Sequence, residues 1–322
     1  MQCIWNFFQQ QFLLRDQNHS FIALVPKLNG SHIAQQFRPI SLCNIVYKII
    51  SKNLANRLKV HLHKIISPLQ SAFVPKRNIQ DNTILAHQLL HSFKSKRGKG
   101  GFMFLKMDME KAFDRMEWSF VLAILEKLGF SSIWISWIRI CISSASFSIL
   151  LNRSTFGHFR PERGLRQGDS LSSFLFILGS EVFSRILFKE ERMGSIKGLR
   201  IARNCAPIHH LLFADVLLMF GKASFSEASC FKSFLDKYCR WSGQSINASK
   251  FSIRFSKNTN PAISDAIINI LPYISNPPKS LYLGLPIFLG NSKRAFQGII
   301  DKVLSRRLES QNYFTSWHIG FD

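Results

Sequence analysis

Acidic residues are scarce in this chain. Asp and Glu number 19 against 42 Lys and Arg, a formal net charge of +23. Such a surplus points to a polyanion partner, most often nucleic acid, with a basic membrane-surface protein as the competing reading. Paired cysteines are missing as well. Cys3, Cys43, Cys141, Cys205, Cys230 and Cys239 form no C-x-x-C pair, which argues against a zinc ribbon or knuckle. Scattered cysteines in a chain this long suggest reduced thiols inside a cell. Long apolar runs are absent: residues 171–179, interrupted by serines, and residues 217–220 fall short of the ~18 needed to span a bilayer. No membrane span is expected. The start, MQCIWNFFQQQFLLRDQ, has no basic segment and does not read as a signal peptide. There is no internal repeat and no low-complexity linker. What the chain does have is apolar bulk: 46% of its 322 residues are hydrophobic and 30 are Phe. That excludes disorder as the main state and allows more than one average domain.

Periodicity predicts helices over residues 44–66, 81–93, 117–128, 131–143, 170–188 and 224–241. In the first, Ile45, Ile49, Leu54, Leu58 and Leu62 would form the apolar face, with Lys48, Lys52, Arg57, Lys59 and Lys64 elsewhere. Asp81 or Asn82 would cap the second helix, and Ser170 the fifth. Short apolar runs predict strands over 101–107, 146–151 and 251–255. HHLLFADVLLMF, residues 209–220, reads as a tight hairpin with Asp215 at its tip. The fold class is α+β, an antiparallel sheet covered by helices on one face. KSKRGK at 94–99 reads as an exposed basic loop. His87 and His91, spaced i, i+4 without an intervening acid, read as helix-surface residues.

Two acids end apolar strands, Asp108 after GFMFLKM and Asp215 inside LLFADVLLMF. A carboxylate there is costly unless charge or hydrogen bonds offset it. A divalent ion would do so, since Mg²⁺ takes one or two carboxylates plus substrate phosphates. Hydrogen bonds to nearby amides are the other account. RGLRQGDSLSS at 163–173 is a polar turn opening a helix. Its amides, with Arg163 and Arg166, suit an anion, and a capped surface turn explains the pattern equally well.

Six blocks occur in order: FRPISL (37–42), QSAFVP (70–75), KMDMEKAFD (106–114), GLRQGD (164–169), FADV (213–216) and YLGLP (282–286). Together the chain resembles the reverse transcriptase of plant non-LTR (LINE-type) retrotransposons, from about residue 5 to 310. The resemblance implies a right-hand polymerase fold with an antiparallel palm sheet backed by helices. Fingers would occupy residues 1–100, the palm with finger-side helices 101–289, and a truncated thumb 290–322. It also implies a fragment of an element, without the upstream endonuclease and the downstream region.

The implied reaction is attack of a primer 3′-hydroxyl on a dNTP, with two Mg²⁺ ions about 3.5–4 Å apart. The partners would be an RNA template, a DNA primer, their RNA–DNA hybrid and dNTPs, with no membrane. Location would be intracellular, in the nucleus rather than the cytoplasm. Asp108 and Asp215 match metal ligands, and Lys250 matches a lysine that protonates the departing pyrophosphate. Phe113 matches the aromatic gate that excludes a ribose 2′-hydroxyl. Gln167 and Gly168 match the block against the incoming nucleotide, and Arg38 and Lys48 match finger positions that reach the triphosphate. One position departs decisively. Val216 stands where the family has a second Asp. If that costs about 4 kcal/mol in the transition state, the rate falls about a thousandfold. An impaired polymerase is expected, unless Glu110 or Asp114 substitutes. The alternative is a catalytically dead nucleic-acid-binding remnant; an RNA-templated RNA polymerase is disfavoured by Phe113. Ser170 and Ser173 also replace usual prolines, and Lys76 and Arg153 usual glycines.

Overall fold

The computed structural model describes residues 2–97, 100–202, 204–271 and 281–286. In chain order the elements begin α1 (Gln2–Gln10), β1 (His19–Pro26), β2 (Phe37–Cys43), α2 (Ile45–Lys59), α3 (Leu62–Ile65), α4 (Ile79–Ser95), β3 (Phe102–Asp108), α5 (Ala112–Arg115), α6 (Trp118–Lys127) and α7 (Ser132–Ser143). They continue β4 (Ser146–Leu151), β5 (Ser154–Phe159), α8 (Ser170–Arg192), β6 (His210–Phe213), β7 (Val216–Lys222), α9 (Phe225–Ser242), β8 (Ser252–Phe255), α10 (Pro261–Ile270), β9 (Leu281–Tyr282) and β10 (Leu285–Pro286). The α+β class holds. The expected thumb lies outside the described residues, as do two residues of the basic loop.

One sheet runs β6-β7-β3-β8, antiparallel throughout. Its strands are apolar on both sides. Met103, Leu105 and Met107 join the larger core with α8 residues such as Leu175 and Phe176. Phe104, Leu218 and Phe220 pack instead with Leu89, Leu90 and Phe93 of α4. Helices therefore cover both faces, not one. Near-continuous apolar strands require this, because either face left bare would expose a hydrophobic surface.

The second sheet runs β2-β1-β4-β5. Here β1 pairs antiparallel with β2 and parallel with β4. A boundary at residue 100 thus cuts through a sheet, since 146–159 join 19–43. The sequence pattern does not reveal β1, β2 or β5: β5 is exposed along its whole length and β2 carries Pro39, so neither shows clean alternation.

Several local expectations are corrected. In α2 the buried face is Tyr47, Ile50, Leu54, Ala55 and Leu58, while Ile45 and Ile49 are exposed. Asn44 caps it through its side chain, and the helix ends at Lys59 rather than 66. In α4 the cap position is Asn78; Asp81 lies in the first turn and Asn82 is buried. Asp169, not Ser170, caps α8, accepting from Ser172 N at 3.3 Å. At 23 residues α8 is long and apolar enough to cross a bilayer, contrary to the run-length reading, yet two-thirds of that window is buried inside the fold. It is a core helix, whose buried Ser172, Ser180 and Ser184 bond Asp169, Gln70 and His210.

Candidate active site

Asp108 is the last residue of β3 and faces Val216, the first of β7, in antiparallel register. Alternation puts Lys106, Asp108, Val216 and Leu218 on one side of the sheet. Between β6 and β7 the chain turns through Ala214 and Asp215, with Ala214 at φ 54°. This is the expected hairpin, and it sets Asp215 beside Asp108.

Two ammonium groups flank Asp108. Lys106 Nζ lies 3.3 Å from Oδ1 and Lys250 Nζ 3.0 Å from Oδ2. The Lys106 contact is ionic only: Oδ1 accepts no hydrogen bond in good geometry. Lys106 and Asp108 side chains are 8% and 11% exposed, whereas Lys250 is 59% exposed. Lys250 is placed by the loop before β8. Asn247 N donates to Asp108 O at 2.9 Å, and Ile246 bridges Met109. Burial pushes the Asp215 carboxyl above the usual carboxylate range, and the Asp108 charge adds to this; its own backbone N–H and Lys250 oppose it.

The hairpin tip is braced from below. Gln70, 1% exposed, accepts through Oε1 from Ala214 N (3.2 Å) and Ala72 N (3.0 Å). Asn82 donates to Leu212 O (3.1 Å) and accepts from the Tyr282 hydroxyl. Three separated sequence blocks, 70–75, 213–216 and 282–286, thereby meet at one turn.

A second constellation lies at the start of α8. Gln167 O accepts from Ser41 N (2.8 Å), and Gln167 Nε2 donates to Asp114 Oδ1 (3.3 Å). Gly164 has φ +93°, and a Cβ there would meet Asp114 O at 2.7 Å; Gly168, at φ +96°, lies against Ile40. Arg166 is buried. Its guanidinium donates to Asn18 Oδ1 (2.7 Å) and Cys141 O, and stacks 3.7 Å over Tyr47. Arg163 pairs with Glu117 at 3.2 Å. Arg166 is held by neutral groups and Arg163 by the protein's own Glu117, and Asp169 already occupies the helix start. The anion-site reading of this turn is therefore replaced by a structural one.

A family model described as reverse transcriptase (RNA-dependent DNA polymerase) matches residues 25–287. The chain belongs to the reverse transcriptase family. Transposon TX1 uncharacterized 149 kDa protein of Xenopus laevis is 35% identical over 168 residues, covering 52% of this chain and 13% of that protein. The Pol polyprotein of retrotransposable element R2DM from Drosophila melanogaster is 29% identical over 199 residues, 62% of this chain and 18% of that protein. The chain thus spans under a fifth of the length of either relative. A telomerase from Candida tropicalis, solved with a fragment of telomeric RNA, superposes with a TM-score of 0.53 at 14% identity, over 85% of this chain and 44% of that one. At that identity the likeness is one of fold, the right-hand polymerase. Both relatives are proteins of transposable elements, and the chain is similar to each over half or more of its own length.

In this reverse transcriptase domain the structure brings together Asp108, Asp215, Lys250 and the departed position Val216. Gln167 and Gly168 line up against β2 at the neighbouring constellation. Phe113 is half-buried, its ring stacked 4.8 Å from Phe176. Arg38 and Lys48 are exposed; neither lines the roughly 270 Å³ cavity formed by Pro39, Ser41, Asp114 and Gln167. Glu110 lies 3.8 Å from Arg115 and Asp114 is engaged by Gln167. Among the described residues no group of three acids, histidines or cysteines could hold a metal. Asp108 and Asp215, side by side at the hairpin, suit one Mg²⁺ completed by phosphates. Two residues escaped the sequence reading. Lys106 carried a signal, a lysine in an apolar strand two positions before an acid. Gln70 opens the 70–75 block, but nothing in the sequence ties it to Ala214, 144 residues away.

Proposed function

We propose that this chain is the polymerase segment of a plant LINE-type element, a fragment of a longer protein, with RNA-directed DNA synthesis strongly impaired by Val216. The register carries the proposal: Val216 lies directly across from Asp108, so the absent carboxylate is missing from the place where it would face the first one. Plant origin rests on the six sequence blocks, and a nuclear location accompanies that reading. The chain supplies positioning. Asp108 and Asp215 would hold a Mg²⁺ that neutralises triphosphate charge and polarises the reacting phosphate. Gln167 and the exposed backbone at Gly168 would seat the incoming dNTP, and Phe113, fixed by Phe176, would close the ribose side. Lys250 Nζ would hold the proton passed to the leaving pyrophosphate. Lys106 would keep Asp108 in place by charge.

Fingers, palm and thumb over 1–100, 101–289 and 290–322 remain part of this proposal, amended by the β4–β5 hairpin that joins the fingers sheet. RNA template, DNA primer and their hybrid would lie across the open end of β3 and β7, attracted by the +23 charge. The test is Mg²⁺-dependent dTTP incorporation on an RNA template with a DNA primer, for this chain and for Val216→Asp. The revertant should extend the primer about a thousandfold faster, the equivalent of about 4 kcal/mol. Equal rates would refute the role given to Val216.

A further inference from the structure

The end of the palm sheet remote from the carboxylates carries a basic cavity that the polymerase reading leaves unused. Phe102 opens β3 and pairs in register with Lys222 at the end of β7. Six residues of strand separate Phe102 from Asp108, about 20 Å at the usual rise. Lys96, Phe102, Lys197, Arg200 and Lys222, with one carboxylate, Glu191, line a cavity of about 420 Å³. Buried Gly198 lies at its base, where a Cβ would come within 2.7 Å of the Ile208 backbone.

The charges around it do not cancel. Lys197, Arg200 and Lys222 are exposed. Lys96 Nζ donates to Arg200 O at 3.2 Å and lies 5.8 Å above the Phe102 ring. Of the two nearby acids, Glu191 is turned to His209 at 3.2 Å. Glu227 accepts the Lys222 backbone N–H at 2.8 Å. Four cations thus face two acids. An aromatic ring sits among them, and the volume is that of a small-molecule site.

We propose that this cavity takes one unstacked nucleotide of a single-stranded nucleic acid, its phosphates on Lys197, Arg200 and Lys222 and its base against Phe102. A duplex cannot enter a concavity of this size, whereas single strands are held by just such a pairing of cations and aromatic faces. The inference rests on the nucleic-acid-binding reading of the chain but not on its polymerase activity.

The test is binding of a short labelled single-stranded RNA and of a blocked RNA–DNA hybrid across a salt series. The full chain is compared with Lys197→Ala/Arg200→Ala/Lys222→Ala. Single-stranded affinity should fall about tenfold or more. The slope of log K against log salt should shrink by about 1.4, at about 0.7 for each of the two phosphates flanking the seated nucleotide. Hybrid binding should change less than threefold. Lys222→Glu alone should weaken single-stranded binding more than Lys222→Ala, which separates charge from shape. Unchanged single-stranded affinity and slope, with hybrid binding intact, would overturn the cavity alone. Loss of polyglutamate binding with RNA binding kept would assign the cavity to acidic peptides and overturn it too. A parent chain that binds neither nucleic acid would overturn the underlying reading as well.

Discussion

Replacing Asp108 by Asn, the obvious way to silence this site, should cost fold stability as well as chemistry. Lys106 is only 8% exposed and has Asp108 as its ionic partner at 3.3 Å. On the same side of the sheet stand Phe104, Leu218 and Phe220. Removing the carboxylate charge leaves an ammonium among apolar side chains. Breaking a buried pair from one side costs about 3–5 kcal/mol. Lys250, 59% exposed, simply returns to water, and its share is near zero. At about 2–4 °C per kcal/mol for a chain of this size, Tm should fall by about 10 °C. Lys106→Met alone should cost less, because Lys250 still neutralises Asp108. The double variant Lys106→Met/Asp108→Asn should recover most of the loss, since removing both partners leaves no orphan. Urea unfolding followed by Trp fluorescence gives all four corners of the cycle. If Asp108→Asn stays within about 0.5 kcal/mol of the parent, or the double variant is no better than it, the buried-pair reasoning is wrong.

Further outcomes are expected elsewhere. Asn152 and Arg153 have φ 49° and 65°, the turn in which Gly is preferred second. Arg153→Gly should therefore stabilise by about 0.5–1 kcal/mol in denaturant unfolding, and Lys76→Gly, at φ 65°, should act in the same direction. Gln70→Ala should strip the Ala214 and Ala72 amides of their acceptor, cost about 1–3 kcal/mol per buried donor, and speed hydrogen exchange at Ala214. Burial lowers His209 from 6.5 to about 4 and holds His210 well below its usual value, with the neighbouring His209 adding to this. The unfolded state then binds more protons below pH 6.5, so stability should fall as pH drops from there toward 4. His209 alone accounts for on the order of 3 kcal/mol, less whatever Glu191 returns once His209 is charged. His209→Gln should flatten that slope in unfolding curves taken across the range.

The parts of the site legible in the sequence were those written locally. The Asp215 hairpin is announced by apolar runs on both sides of a short turn, and Asp108 by its place at the end of one. The missing partner at 216 is likewise visible as a single letter. What stayed hidden is set by depth and distance. Arg166 reads as a free cation until Asn18, Cys141 and Tyr47 are seen around it. Gln70 is one glutamine among many until the fold places Ala214 above it. β1, β2 and β5 escape notice because few of their residues are buried, β5 being exposed throughout and β2 carrying a proline, so no apolar rhythm betrays them.

The parallel pairing of β1 with β4 has a consequence for synthesis. His19 lies beside Ser146, so 127 residues must emerge before the first strand meets its parallel neighbour. Until then β1 and β2 form a two-stranded ribbon with an open edge, a hairpin marginal by itself and prone to sticking to other chains. A nascent polypeptide of this kind spends seconds in that condition at ordinary elongation rates. Translation that stalls or stops before β4 would leave a product whose fate is aggregation or chaperone capture, not a smaller working domain.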